Sequence, residues 1–323
     1  MTAEPLRIVI CSAGRRVELL SCFRAAAARL GARLDVIACD LDPGQSAACA
    51  LADRAVAVPR CDDPGYAAAV LELVRKTGAR LVVPTIDPDL MPLAQAAAEF
   101  AALGARLHVS PAEVIGVVRD KQRTCEVLAA AGVPVPGTLD HAGFLAQPQA
   151  LGWPVFAKPS GGSASRELRV FERPQDLPDS FPEPMIFQQL LTGPEYTINM
   201  FIDQAGSLRT VIPHLRQQVR AGEVEKGVTE RRRDLREIAE GIAGALPALR
   251  GVCCFQVLDD PRRGPRVIEI NARFGGGYPL ADRAGARFAE WLLEEVLGRP
   301  CSAADDWRAG VRMLRYDSAV YLE

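Results

Sequence analysis

The sequence predicts a mixed α/β and α+β fold, in which a doubly wound parallel α/β unit precedes a two-part module of antiparallel sheets. From residue 7 to about residue 111, short β-branched runs alternate with amphipathic stretches, as in a parallel sheet with helices on its faces. Beyond about residue 148 the apolar runs follow one another with few helical stretches between them, which is typical of antiparallel strands. The 323 residues suffice for roughly two or three domains of about 100 to 200 residues each.

The first unit begins with the strand Ile8 to Cys11 and the helix Val17 to Leu30. It continues with the predicted strands and helices Leu34 to Cys39, Val56 to Val58, Tyr66 to Lys76, Leu81 to Pro84, Leu90 to Leu103 and Leu107 to Val109. Gly14 follows the first strand and Asp40 ends the second, as in dinucleotide-binding folds, but the turn lacks G-x-G-x-x-G. A tight strand-to-helix turn is therefore favoured over nicotinamide binding.

Several charged residues follow the strands of this unit, where open α/β sheets bind ligands. They are Arg15, Arg16, Asp40, Asp42, Asp87 and Asp89. Arg15 and Arg16 could bind a carboxylate at the start of a helix, and Asp87 and Asp89 could bind an amine or a hydroxyl. The alternative for Asp87 or Asp89 is a helix cap, and the sequence leaves both open.

The middle of the chain begins at Ser110-Pro111, where Ser110 is predicted to cap a helix with Glu113 three residues later. A helix from Gln122 to Ala131 follows. Later strands are predicted at Trp153 to Lys158, Glu167 to Phe171, Met185 to Leu191, Tyr196 to Ile202 and Ser207 to Pro213, with a helix from about Asp234 to Leu246. We expect domains at residues 1–111, 112–190 and 191–323.

Composition excludes some classes of function. A net charge of −2 gives no electrostatic case for nucleic-acid binding, and no apolar stretch reaches the roughly 18 residues of a membrane span. The nine cysteines are scattered without a C-x-x-C pair, so we expect reduced thiols rather than disulfides or zinc ligands. A cytoplasmic protein is the expectation.

The segment from Val267 to Arg273 contains the most informative polar residues. Alternation along a strand would put Glu269, Asn271 and Arg273 on one face, with Ile268 and Ile270 on the other. Glu269 and Asn271 offer hard oxygen ligands for magnesium, and Arg273 offers a cation for phosphates. A hairpin with the preceding run would set Gln256 beside Glu269. The alternative, for this pattern taken alone, is an edge strand whose polar face is exposed to water.

A second polar feature is Lys158, which ends a predicted strand and precedes a glycine- and serine-rich loop, residues 159–165. A lysine with free backbone amides after it can hold phosphate oxygens. The order is not that of a Walker A loop, because the lysine precedes the glycines. Alone, this feature is more often a solvated hairpin.

The polar features occur in a characteristic order along the chain: Asp120-Lys121, Lys158 with its loop, the run from Phe187 to Thr197, then Gln256 and Glu269-x-Asn271-x-Arg273. In this order and spacing the chain resembles the ATP-grasp superfamily, in particular the carbamoyl phosphate synthetase and biotin carboxylase branch and its single-module ligase relatives. The resemblance covers nearly the whole chain, and residues 1–111 correspond to the domain that precedes the ATP-grasp module.

The resemblance implies a role for each matching residue. Lys121, Lys158 and the loop with Ser160, Gly161, Gly162 and Ser163 correspond to groups that contact the phosphates of ATP, and Arg216 and Lys226 lie in a loop that resembles a basic segment reaching them. Gln188, Gln189, Leu190 and Leu191 correspond to the adenine-binding connection, and Glu195 to the acid that holds the ribose. Gln256, Glu269 and Asn271 match the metal ligands, and Arg273 the catalytic arginine near the transferred phosphoryl group, with Lys158 beside it. Gln188 and Gln256 stand where many relatives have a carboxylate.

The activity that the resemblance implies is ATP-dependent ligation. ATP with Mg²⁺ or Mn²⁺ would activate a small-molecule carboxylate as an acyl phosphate, and an amine or similar nucleophile would attack it. The substrates would be read by the charged residues after the strands and by the loop Gly275 to Tyr278. The alternatives are phosphorylation of bicarbonate or carbamate, and a nucleotide-binding module without turnover. The oligomeric state stays open, with a homodimer as one alternative.

Overall fold

The protein is described by a computed structural model that covers residues 4–161 and 168–322. Its strands form three sheets of five, four and six strands in these residues. The first sheet is parallel, and the other two are antiparallel. The predicted fold class is therefore confirmed, whereas the exact domain boundaries stay a prediction.

The parallel sheet has the strand order β3-β2-β1-β4-β5. Its strands are β1 (Leu6–Cys11), β2 (Leu34–Asp40), β3 (Arg54–Ala57), β4 (Leu81–Pro84) and β5 (Arg106–Leu107). The helices of this unit are α1 (Val17–Arg29), α2 (Ala47–Leu51), α3 (Tyr66–Thr77), α4 (Asp87–Gln95) and α5 (Ala97–Ala102). Ile8 and Ile10 face the core beside α1, and Val9 and Cys11 face the core beside α3, so both faces of β1 are buried. Burial of both faces explains the continuous apolar runs of this half.

Strand order reverses between β1 and β4. Open α/β sheets bind ligands in the crevice beyond the carboxyl ends of two such strands. The turns after these two strands run from Ser12 to Arg16 and from Thr85 to the start of α4. Arg16 in the first turn donates to the backbone oxygen of Thr85 in the second, so these two turns are neighbours in the fold.

Two helices, α6 (Ala112–Val118) and α7 (Lys121–Ala130), follow the parallel unit. The predicted capping box at Ser110 is wrong, because Pro111 is the residue before the first turn of α6. The Ser110 hydroxyl instead accepts a hydrogen bond from the backbone N–H of Arg250 over 3.1 Å. Ser110 thus ties the end of the parallel unit to the distant strand that begins at Gly251.

The four-stranded sheet has the order β6-β9-β7-β8. Its elements are β6 (Thr138–Asp140), α8 (His141–Ala146), β7 (Val155–Pro159), β8 (Arg169–Phe171) and β9 (Met185–Gln189). Phe144 and Phe187 stack in its small core with ring centroids 4.2 Å apart. This core fixes the sheet that carries Lys158 and Gln188.

The six-stranded sheet has the order β14-β13-β10-β11-β12-β15. Its elements are β10 (Glu195–Ile202), β11 (Leu208–Arg220), β12 (Glu223–Thr229), α9 (Arg233–Ala245), β13 (Gly251–Asp260), β14 (Gly264–Asn271), α10 (Tyr278–Ala284), α11 (Phe288–Val296) and β15 (Arg312–Leu314). The segment from His214 to Gly227, expected to be a loop, forms the paired strands β11 and β12. Helices α10 and α11 pack on α1, so one apolar core joins this sheet to the parallel unit.

Two further expectations concern membranes and thiols. No helix in the described part of the chain is long and apolar enough to cross a membrane. All nine cysteines are free thiols, and seven of them are buried. The expected core position is confirmed for those seven, while Cys61 and Cys301 are half-buried.

We predict that Gly193→Ala destabilises the protein more than Gly264→Ala. Both glycines have positive φ angles, 108° and 71°. A Cβ at position 193 would lie 2.3 Å from the backbone oxygen of Asp259, whereas a Cβ at position 264 would meet nothing within 4 Å. A left-handed backbone costs an alanine about 1 to 2 kcal/mol, and steric overpacking adds roughly 1 to 3 kcal/mol at position 193 alone.

The measurement is the free energy of unfolding in urea for both variants and the wild type. Equal losses in the two variants would contradict this account of the turn before β10.

Candidate active site

A cleft of about 690 Å³ separates the four-stranded sheet from the six-stranded sheet. Polar residues from both sheets line it: Lys121, Lys158, Gly161, Gln188, Gln189, Glu195, Arg216, Glu223, Gln256, Glu269, Asn271 and Arg273. Leu190 and Leu191 line it as well. The structure therefore brings together most of the residues that the sequence marked as a site.

Lys158 lies on β7 with only 7% of its surface exposed. Its Nζ donates to the backbone oxygen of Ile268 on β14 over 3.1 Å, which joins the two walls of the cleft. Burial lowers the pKa of Lys158 to about 8, although the nearby Glu269 carboxylate opposes the shift. Lys158 is therefore a buried cation, which suits it to an anionic ligand.

Lys121 is the first residue of α7, beside the start of the glycine- and serine-rich loop. Its backbone N–H donates to Ser160 O over 3.0 Å, and its Nζ donates to Gly161 O over 3.1 Å. Burial is the main cause that lowers the pKa of Lys121. Ser160 is not part of the cleft wall, and the predicted Gly162 and Ser163 lie outside the described residues.

Gln188 lies at the back of the cleft, 2% exposed, on β9. Its Nε2 donates to Thr138 Oγ1 over 2.8 Å and to Cys125 Sγ over 3.6 Å. These contacts orient the amide nitrogen toward the protein and leave the amide oxygen as the acceptor for a ligand. An adenine-binding role for Gln188 stays a prediction.

Apolar side chains form the walls around Gln188, and sequence analysis did not identify them. They are Phe156, Leu168, Val170, Val219, Leu258 and Ile268. Leu168 and Val170 on the four-stranded side are 46% and 47% exposed, unusual for large apolar residues. The sequence signal for this wall was the alternation of apolar Leu168, charged Arg169 and apolar Val170. A flat aromatic ring fits between such walls.

Glu195 begins β10 and pairs with Arg216 on β11, with Oε1 3.2 Å from Nε. Arg216 also donates from Nη1 to Thr197 Oγ1 over 3.2 Å. Burial raises the pKa of Glu195, and the guanidinium of Arg216 opposes this rise. The acid therefore sits at the cleft with an arginine that holds its orientation.

The hairpin of β13 and β14 sets Gln256 opposite Glu269, as predicted. The hydrogen bonds assign the amide of Gln256 so that its nitrogen donates to Glu269 Oε2 over 3.0 Å and its oxygen accepts from Arg216 Nη1 over 2.6 Å. Gln256 therefore turns its nitrogen, and not its oxygen, toward Glu269. In this orientation Gln256 holds Glu269, and its expected role as a metal ligand stays a prediction.

Strict alternation along β14 proves wrong at one position. The register shifts between Gln256 and Val257, and Ile268 is the extra residue of a β-bulge. Ile270 faces the core, as expected, but Ile268 lines the cleft. The bulge also directs the backbone oxygen of Ile268 toward Lys158.

Arg273 lies two residues beyond the end of β14 and is held by three acceptors. Its Nη2 donates to Asp87 Oδ2 over 2.6 Å and to Asn271 Oδ1 over 3.1 Å, and its Nη1 donates to Phe274 O over 3.0 Å. Its Nε is buried and has no hydrogen-bond partner among residues 4–161 and 168–322. Burial lowers the pKa of Arg273, but Asp87, Cys254 and Glu223 together outweigh burial, so the net pKa is raised.

Asp87 and Asp89 are not side-chain caps of α4, and both have other partners. Asp87 pairs with Arg273, and Asp89 accepts from Ser12 Oγ over 2.8 Å. Burial raises the pKa of Asp89 to about 6. Asp40 accepts from the Gly14 N–H and Asp42 caps a short turn, so of these four acids only Asp87 reaches the cleft.

Other residues named by sequence lie elsewhere. Arg15 and Lys226 are exposed and are not part of the cleft wall, and Lys226 lies on β12 beside β15. Tyr278 is fully buried, where its hydroxyl donates to Asp282 and accepts from the Ala289 N–H. Arg16 instead pairs with Glu223 at the edge of the cleft, over 3.2 Å.

Two family models match this chain. One described as PylC-like, N-terminal domain matches residues 8–108. The other, described as ATP-grasp in the biosynthetic pathway with Ter operon, matches residues 181–319. With the three sheets and the cleft, the second match indicates an ATP-grasp module in this chain. Solved structures with a similar fold include biotin carboxylases.

Known proteins give the same class. The alpha subunit of mitochondrial methylcrotonoyl-CoA carboxylase from Arabidopsis thaliana is 22% identical over 263 residues, 72% of this chain and 35% of that protein. The biotin carboxylase domain of Hydrogenobacter thermophilus 2-oxoglutarate carboxylase has a TM-score of 0.75 at 18% identity, covering 96% of this chain and 74% of that chain. L-amino acid ligase from Bacillus licheniformis has a TM-score of 0.70 at 20% identity, with 95% and 78% covered. The chain spans about a third of the length of the plant relative, and the structural likeness shows the fold alone.

We predict that the side chain of Lys158 titrates near pH 8. The chain has only four lysines, at positions 76, 121, 158 and 226, so ¹³Cε-lysine NMR can resolve each of them. The physical cause is burial of the charged ammonium, which outweighs the attraction of Glu269. The Lys158 signal is assigned by its loss in Lys158→Arg. A Lys158 signal that titrates above pH 10 would rule out the buried-cation account.

Proposed function

We propose that this chain is an ATP-dependent ligase that activates a carboxylate as an acyl phosphate for attack by an amine. The γ-phosphate of ATP would pass to the carboxylate, and the amine would then displace inorganic phosphate. One observation carries the proposal: Lys158, Glu269, Asn271 and Arg273 all line the same cleft. A nucleotide-binding module without turnover does not need this set of groups around a transferred phosphate.

The nucleotide would bind along the cleft with its adenine beside Gln188. The amide oxygen of Gln188 would accept from the adenine amino group, and the backbone of Leu190 and Leu191 would bond the ring edge. The apolar walls described above would enclose the two ring faces, and Glu195 would bind the ribose hydroxyls. The related carboxylase domain from Hydrogenobacter thermophilus was solved with MgADP, which supports this assignment.

The residues present fit a magnesium ion. Glu269 supplies a carboxylate and Asn271 an amide oxygen, the ligand types that Mg²⁺ prefers, and an ion here would gain its other ligands from phosphates and water. No group of three or more His, Cys, Asp or Glu side chains in the described ranges could hold a metal by itself. We assign Gln256 to hold Glu269, because its amide nitrogen faces that carboxylate. Mn²⁺ could occupy the same ligands.

The chemical contribution of the protein is mostly electrostatic. Phosphoryl transfer needs positioning and stabilisation of charge on the phosphoryl oxygens rather than covalent help. Lys158 and Arg273 supply two fixed cations in a partly dehydrated site, where charges interact more strongly than in water. The bound metal would neutralise further phosphate charge.

The proposal also covers the compartment, the substrates and the assembly of the enzyme. Free thiols at all nine cysteines suit a reducing compartment, and we assign the protein to the cytoplasm. Small-molecule acids and amines are the proposed substrates, and the dimer in the Hydrogenobacter thermophilus structure supports a homodimer as the proposed assembly. A second activity, phosphorylation of bicarbonate, has support in the bicarbonate present in the Hydrogenobacter thermophilus structure.

The function is tested by trapping the intermediate. A phosphate-release screen of carboxylic acids crossed with amines at fixed magnesium ATP first identifies an active pair. Hydroxylamine then replaces the amine, and we expect a hydroxamate that requires ATP, magnesium and the correct acid together, because an acyl phosphate is electrophilic. Hydroxamate formation should fall by at least about 100-fold in Glu269→Gln and in Arg273→Ala, as groups that stabilise the transferred phosphoryl are removed.

The negative results are equally informative. Neither ADP nor hydroxamate across a broad panel of acids, with ATP still bound tightly, would favour the module without turnover. Hydroxamate from bicarbonate alone would favour the carboxyphosphate activity. Full activity of Glu269→Gln would remove the metal assignment.

A further inference from the structure

Glu223 is a carboxylate in the cleft wall that has no role in nucleotide or metal binding above. It is the first residue of β12, after a tight turn in which Ala221 and Gly222 both have positive φ angles. Its side chain is 30% exposed and lines the cleft near Arg273 and Asp87.

Two arginines from distant parts of the chain hold Glu223. Arg16, in the turn after β1, places Nη1 3.2 Å from Glu223 Oε1. Arg315, just after β15, places Nη1 4.0 Å from Glu223 Oε2. The second of these distances is at the limit of an ion pair. The carboxylate is thus oriented by two cations and still keeps an exposed side toward the cleft.

Gly276 makes room for this carboxylate. A Cβ at position 276 would lie 1.4 Å from Glu223 Oε2, so only glycine permits the observed position. Arg315 also donates from Nη2 to the backbone oxygen of Gly276. The loop that follows Arg273 is therefore shaped around the Glu223 carboxylate.

The other carboxylates in the cleft wall have other assigned roles or lie at the rim. Asp87 is 6% exposed and bound to Arg273 at 2.6 Å, Glu195 is bound to Arg216, and Glu269 is the assigned metal ligand. Glu183 lies on the exposed rim. Glu223 is close enough to Arg273 to raise the pKa of that guanidinium, after Asp87 and against the effect of burial. A carboxylate is thus available near the assigned phosphoryl-transfer end of the cleft.

We propose that Glu223 binds the attacking amine and accepts its proton during amide formation, an inference that rests on the proposed ligase function. The nitrogen lone pair forms the new N–C bond, the bond between the acyl carbon and the phosphate oxygen breaks, and inorganic phosphate leaves. The proton lost by nitrogen passes to a Glu223 oxygen and then to water. Arg16 and Arg315 act as positioning residues that aim the carboxylate at the amine.

A purely structural role for Glu223, as an ion pair between the parallel unit and the six-stranded sheet, makes a different prediction. Loss of such a pair would disturb every reaction in the cleft equally. Loss of a proton acceptor for the amine would spare the earlier phosphorylation. Hydroxylamine separates the two, because it is largely uncharged at neutral pH and needs less help from a base than an alkyl amine does.

The experiment compares amide and hydroxamate formation by the full chain, using the acid and amine with the highest phosphate release in the screen. In Glu223→Gln we expect kcat for the amide to fall about 100-fold or more, the usual worth of a general base, while hydroxamate formation stays within about threefold of wild type. Glu225→Gln is the matched control. Glu225 lies on the same strand and pairs with Arg220 outside the cleft wall, so both products should be unchanged.

A second variant tests the proposal if Glu223→Gln fails to fold. Gly276→Ala keeps Glu223 but displaces its carboxylate, and we expect the same selective loss of amide. Equal loss of amide and hydroxamate in both variants, or unchanged amide formation in Glu223→Gln, would overturn the proposal. Absence of hydroxamate with the wild-type protein would instead refute the ligase function itself.

Discussion

The ion pair between Asp87 and Arg273 is the interaction on which the arrangement of the site depends. It joins the start of α4 in the parallel unit to Arg273, two residues beyond the end of β14, over 2.6 Å. The side chain of Asp87 is 7% exposed and that of Arg273 is 14% exposed. Removing one partner of such a buried pair typically costs about 3 to 5 kcal/mol, because the remaining charge is left without compensation. The pair therefore locks both the seam between the two units and the direction of the guanidinium.

The six-stranded sheet contributes a second constraint, a chain of polar contacts across four adjacent strands. Glu195 on β10 contacts Arg216 on β11 at 3.2 Å, Arg216 donates to Gln256 on β13 at 2.6 Å, and Gln256 donates to Glu269 on β14 at 3.0 Å. The proposed ribose-binding acid and metal-binding acid are thus held in one network. Such preorganisation reduces the reorganisation that a bound nucleotide would require.

Sequence reasoning succeeded where a periodic pattern decides the structure. The doubly wound unit followed from apolar runs buried on both faces, and the pairing of Gln256 with Glu269 followed from a hairpin connection of countable length. The same reasoning identified most polar residues of the cleft wall, because strand ends and strand faces restrict where such side chains can lie.

It failed where a tertiary contact overrides the local pattern. Nothing in the residues around Ile268 announces a β-bulge, which depends on the partner strand. Ser110 has the sequence of a helix cap, but Arg250, 140 residues away, takes its hydroxyl. Asp87 looked like a cap or a ligand, and its partner is an arginine 186 residues away. The setting of Glu223 depends on Arg16, Gly276 and Arg315 together, and no local pattern contains all three.

The central claim is that the substrate carboxylate itself receives the phosphoryl group, and oxygen transfer tests it most directly. An acid substrate labelled with ¹⁸O in its carboxylate is turned over with unlabelled ATP and the amine, and the released phosphate is analysed by mass spectrometry. The account predicts one ¹⁸O atom in each phosphate, because the C–O bond to the bridging oxygen breaks when the amine attacks. Amide formation with unlabelled phosphate would contradict it.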